Sequence, residues 1–126
     1  MGLLRGMMGH ASEVDVEKLA EEFAPLLCDG ESVVVGYKLV RDMMVFTDRR
    51  LLLVDIQGAT GIKKDYQTIP YRSIHRFSKE STGVMDLEAE LKIWIRGQHE
   101  PIVKLFKNNR FVNDAYRAMS EAVLAG

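Results

Sequence analysis

Three short stretches of this chain are apolar at every position: Val33-Val34-Val35, Met43-Met44-Val45-Phe46 and Leu51-Leu52-Leu53-Val54. Consecutive side chains of a β-strand point to opposite faces, so a strand of this kind needs cover front and back. One face belongs to a core. The other must also be covered, because monomers seldom expose a contiguous apolar patch above a few hundred Å². The cover is either the chain's own leading helix or neighbouring copies.

The rest of the chain supplies elements in a simple order. Ser12 and Asp15 have capping-box spacing, which predicts a helix from Ser12. Val16, Leu19, Ala20, Phe23, Leu26 and Leu27 recur behind them at helical spacing. Pro25 should kink or end that helix near Ala24. Strand rhythm then takes over, with segments expected at 32–40, 43–47, 50–56, 64–70, 73–80, 86–97 and 100–106. Arg41-Asp42 reads as a tight turn between the first two. Pro70 suits the end of a strand or an edge. The sixth segment is the clearest: Leu87, Ala89, Leu91, Ile93 and Ile95 alternate with Glu88, Glu90, Lys92, Trp94 and Arg96. A last helix, capped by Asn108 or Asn109, carries Phe111, Val112, Ala115, Met119, Ala122 and Val123 as its apolar stripe. Seven consecutive short strands and one amphipathic helix make a mostly β fold. The pattern predicts a strongly bent sheet or partly open barrel, plugged at one end by the helix.

At 126 residues the chain fits one domain. Its formal net charge of −1 lacks the basic excess by which nucleic-acid binders neutralise phosphates. No apolar run is long enough to cross a bilayer. The opening residues lack the pattern of a secretory signal, and Gly6 stands where a myristoylation signal needs Ser or Thr. A soluble, cytoplasmic protein is expected, with neither nucleic acid nor membrane as its partner. The single cysteine, Cys28, rules out an internal disulfide and reads as a small buried residue.

Chemistry is sparse. His10, His75 and His99 are scattered without metal-ligand spacing. Ser73 and His75 share a strand face, but no acid or oxyanion hole accompanies them. Glu88 and Glu90 also share a face, in a row with Lys92 and Arg96, which reads as the solvated side of a sheet. Gly58-Ala59-Thr60-Gly61 lies between strands, where a turn needing positive φ explains it. No catalytic residue, cofactor or metal ligand is expected.

The string from Arg41 to Leu51 (RDMMVFTDRRL), with IPYRSI at 69–74 and DLEAELKIW at 86–94, resembles the bacterial pleckstrin-homology (PH) domain family. The likeness runs from about Leu26 to Phe106, and the opening 2–15 resembles that family's N-terminal extension. The resemblance implies a PH-like barrel of seven antiparallel strands in two nearly orthogonal sheets, with a C-terminal capping helix and an extra N-terminal helix. It divides the chain into a helical extension, residues 1–30, and a PH-like domain, residues 31–126. It also implies no enzyme activity and a tendency towards homo-oligomeric, ring-like assembly.

Two sets of residues are then candidates. Arg49, Arg50, Lys63 and Lys64 make an anionic-ligand site if they lie near one another. Such a site would make the chain a peripheral membrane or anionic-ligand binder. Leu3, Leu4, Met7, Met8 and Trp94 are interface candidates. An exposed tryptophan is expensive, since full cover is worth about 2–3 kcal/mol, and tryptophan is a favoured interface anchor. The leading expectation is a non-catalytic module that assembles with itself and binds a protein partner of unknown identity.

Overall fold

A computed structural model describes residues 12–58, 63–81, 88–107 and 111–125. The first sheet is an antiparallel meander of five strands: β1 (Ser12–Val14), β2 (Val33–Lys38), β3 (Asp42–Thr47), β4 (Arg50–Gln57) and β5 (Lys63–Pro70). The second contains β6 (Ile74–Ser81), β7 (Ala89–Ile95) and β8 (Ile102–Phe106), also antiparallel. Helix α1 (Val16–Phe23) follows β1, and helix α2 (Val112–Leu124) closes the chain. The seven expected strands are all present, β2 to β8. Pro70 ends β5, which is an edge strand with a ladder on one side only.

The two-faced strands build two cores. Met44 and Phe46 of β3 lie opposite Leu53 and Leu51 of β4, and all four face the second sheet. There they meet Leu91 and Ile93 of β7, Phe106 of β8, and Ala115 and Met119 of α2. Val45 lies opposite Leu52, and Met43 opposite Val54, on the outer side. Leu19 and Phe23 of α1, with Val14 of β1, cover that outer row. The cover that LLLV demands is therefore supplied by the chain's own leading helix. Gly36 makes this possible: a Cβ there would overlap Leu19 Cδ1, so α1 comes down close onto β2.

Some local expectations change. Ser12 does not cap a helix; it pairs with Lys38 in β1, a strand the sequence did not suggest. Asp15 is the cap instead, accepting a hydrogen bond from the Glu17 amide at 2.8 Å. Keeping 12–14 extended lets Val14 reach the outer core, which a helical start would forgo. The stripe of α1 is also narrower than expected, because eight residues make barely two turns: Val16, Ala20 and Leu26 stay exposed. Pro25 does end α1, in a 3-10 turn over Ala24–Leu26. Arg41 precedes rather than shares β3; Asp42 opens that strand. Asn108 and Asn109 lie outside the described residues.

The sheets are tied together at one corner by a buried cation. Lys104 of β8 reaches Asp42 at 3.3 Å and Asp55 at 3.2 Å, two residues directly opposite each other across β3 and β4.

Candidate functional site

The β3–β4 turn holds the first of the basic candidates. Thr47 closes it: its Oγ1 accepts the amides of Arg49 and Arg50 at 3.0 and 2.9 Å, and its hydroxyl donates to Glu31 Oε2 at 2.7 Å. Asp48 exchanges bonds with Ser32, its amide donating to the Ser32 carbonyl and its Oδ1 accepting the Ser32 amide, both at 2.9 Å. Arg50 is fully engaged. Its Nε and Nη2 donate to the two oxygens of Glu31, each at 2.8 Å. Nη2 also donates to the Leu26 carbonyl at 2.7 Å and Nη1 to Thr68 Oγ1 at 3.0 Å. The Arg50 hydrogen bonds, helped by Thr47 and the Cys28 amide, outweigh burial and hold Glu31 down at about 2. Glu31 went unnoticed in the sequence, where it closes a short turn segment and nothing local marks it as buried. Cys28, expected inside, is exposed.

The other basic candidates lie elsewhere. Arg49 is exposed and has no ion pair among the described residues. Lys63 and Lys64 are exposed at the start of β5. The ladder places Arg50 opposite Pro70 and Gln57 opposite Lys63, so these pairs sit at opposite ends of one hairpin. At about 3.3 Å per residue that is roughly 23 Å. The structure does not bring the four together. Arg41, nearer the lysines, donates to the Ile56 and Gly58 carbonyls, and Gly58 has φ +82°.

Of the interface candidates, Trp94 is half-buried. Its directly opposite neighbour, Arg76, stacks its guanidinium 4.0 Å from the ring centroid. Part of its cover is thus local. Leu3, Leu4, Met7 and Met8 lie outside the described residues. His75 and His99 are exposed.

One concavity among the described residues uses none of these. An open groove of ≈ 460 Å³ runs between α2 and the first sheet. Val35, Tyr37 and Phe46 on the sheet and Ala118 and Ala122 on α2 give it an apolar lining. Its charged side chains are Glu13, Asp48, Asp114 and Glu121, opposed by Arg117. Tyr71 also lines it, with its hydroxyl donating to the Thr47 carbonyl at 2.7 Å.

Three comparisons bear on what this architecture is. The family described as Bacterial PH domain matches residues 2–123. The uncharacterized protein YjqA of Bacillus subtilis is 48% identical over 121 residues, covering 95% of this chain and 97% of that protein. The chain belongs to the bacterial PH domain family. Solved structures agree. A pleckstrin homology domain from Shewanella amazonensis SB2B is 48% identical, with a TM-score of 0.81 over 97% of this chain and 98% of its own. A pleckstrin-homology protein from Shewanella loihica PV-4 is 41% identical, with a TM-score of 0.82 over 91% and 98%.

Within this bacterial PH domain, no helix among the described residues is long and apolar enough to cross a membrane. Nor do three or more His, Cys, Asp or Glu side chains converge there as metal ligands. What the PH domain offers is surface: a lined groove beside polar clusters that bind one another. The groove escaped sequence reading because its walls come from residues about a hundred positions apart, and Glu13 belongs to a strand too short to announce itself.

Proposed function

We propose that this bacterial PH domain is a non-catalytic protein-interaction module of the cytoplasm. The groove between α2 and the first sheet carries that reading, since apolar surface from both elements stays open to solvent there within a concave frame. The strongest polar groups support it from the other side. Arg50 holds Glu31, Arg41 holds two carbonyls and Lys104 holds two aspartates, all in the service of the fold. Substituting exposed Val34 at the groove by Lys tests the reading. Proximity labelling in cells should return a partner set that the V34K protein loses while its Tm is kept. Identical sets from the two proteins would end it.

Self-association is a second reading. It is favoured by Leu124 and Val34, 76% and 55% exposed, which remain bare after α1 has taken the outer face of the first sheet. A single monomeric boundary in sedimentation velocity at tens of micromolar would remove it. An anionic ligand or membrane surface has less support, because Arg50 is engaged and Arg49 stands far from Lys63 and Lys64.

A further inference from the structure

We infer that the α2 groove docks a basic, amphipathic polypeptide segment of a partner protein. This rests on the interaction reading above and names the chemistry of the partner. Three observations carry it.

The first is charge. Four acidic side chains line the groove against one guanidinium, so the field inside favours a cation. Asp114, Arg117 and Glu121 follow one another at helical spacing on α2, which sets Arg117 one turn from each acid. Glu13 and Asp48 supply negative charge from the sheet side.

The second is an unmet polar group. Tyr37 lines the groove yet is only 2% exposed, and its hydroxyl has no hydrogen-bond partner among the described residues. Buried polar groups are nearly always paired, and an unpaired one in a native fold calls for an explanation. Its ring is fixed by edge contacts with Phe46 and Phe106, at centroid distances of 6.3 Å each. Burial, then the charges of Asp114 and Glu13, push its proton affinity above the usual tyrosine range. Glu13 lies directly opposite Tyr37 in the β1–β2 ladder. A lysine or arginine head entering here meets two carboxylates and a phenol oxygen able to accept its hydrogen bond.

The third is the lining. Val35, Phe46, Ala118 and Ala122 give an apolar stretch beside this polar end. A bare polyamine matches the charge and leaves that surface wet. A segment that alternates basic and apolar side chains matches both, and the open shape admits a chain rather than enclosing a small molecule.

The test uses the full-length chain and three fluorescein-labelled twelve-residue probes: alternating Lys/Leu, alternating Glu/Leu, and all Lys. Anisotropy should show the Lys/Leu probe binding most tightly, with affinity falling as salt is added. Asp114→Asn and Glu121→Gln should each weaken it about three- to fivefold, the scale of a rim charge. Arg117→Gln should tighten it by a similar factor, an opposite sign that loss of structure cannot produce. Amide shifts should map to β2 and α2. Equal binding of the Glu/Leu probe would overturn the basic partner and leave an interaction groove standing. Shifts confined to the β4–β5 hairpin, or charge variants without effect, would overturn the site. If only a chain lacking residues 1–11 binds, those residues occupy the groove and the foreign partner is excluded. Groove shifts that depend on protein concentration alone would assign it to a second copy. Failure of all probes, together with an unchanged partner set for V34K, would bring down both readings.

Discussion

Two helices face the same strand, and they treat it differently. On one side α1 meets β2 without a gap: Leu19 occupies the space that a side chain at Gly36 would need. At its base Arg50 ties the carbonyl of Leu26 to Glu31, and Thr47 donates to the same carboxylate. On the other side α2 faces β2 across an open groove where Glu13, Asp114 and Glu121 carry no ion pair among the described residues and the buried Tyr37 hydroxyl lacks a hydrogen-bond partner there. The same strand supplies Gly36 outward and Tyr37 inward, one residue apart. A fold can close one flank to full density and leave the other unfinished; the closed flank gives stability and the unfinished one has room for a ligand.

The contrast is sharpest where a charge is buried. Arg50→Leu leaves Glu31 inside without its cation, and a loss of about 3–5 kcal/mol in urea unfolding at pH 7 is expected. A loss below about 1 kcal/mol would mean that this corner is as loosely held as the groove. The same pair predicts the acid limb. Glu31 is held at about 2 against 4.5 for a free carboxyl. Its contribution, about 3 kcal/mol, is therefore complete above pH 4.5 and drains away as pH falls towards 2. Glu31→Gln should be less stable at pH 7 and lose less on acidification. A parallel acid limb in wild type and E31Q would contradict the assignment.

Next in size is the contact of α1 with β2. Gly36→Ala forces a methyl group into Leu19 and should cost about 1–3 kcal/mol. In a Leu19→Ala background the same substitution should cost little, because the space is then free. Additive losses would show that α1 sits less closely on β2 than the geometry requires.

Much of this was legible in the sequence, and the reasons are local. Alternation along β7 and the double-faced runs of β3 and β4 fixed their inward and outward sides, since period two leaves little freedom once one face is buried. Pro25 and Pro70 ended elements where their missing N–H groups said they would. The demand of LLLV for a second cover was legible too; which element met it was not, because the choice between α1 and another copy depends on how closely Gly36 lets a helix approach. The basic residues misled for a related reason. Arg49 and Arg50 look alike in sequence, yet one is exposed and the other grips Glu31, nineteen positions away in the chain. Spacing along a strand also hid the fact that a hairpin carries its two ends far apart. The groove depends on β1, β2, the end of β3, Tyr71 and α2 meeting, and no window of sequence contains it.

Two tyrosines in the groove allow the smallest and most pointed comparison. Tyr71 donates to the Thr47 carbonyl at 2.7 Å, whereas Tyr37 donates to nothing described. Tyr71→Phe removes a made bond and leaves a carbonyl short, so about 1–2 kcal/mol of stability should be lost. Tyr37→Phe removes a hydroxyl that was already unpaired. Its effect on Tm should be nil or slightly favourable, since an unsatisfied buried group costs about 1–3 kcal/mol where water does not reach it. The same substitution should nonetheless weaken the Lys/Leu probe severalfold. A hydroxyl that gives the free fold nothing, yet whose loss a cationic segment feels, is hard to explain by packing alone. If instead Tyr37→Phe costs as much stability as Tyr71→Phe, then Tyr37 already has a partner, and the unfinished flank of β2 is a closed one.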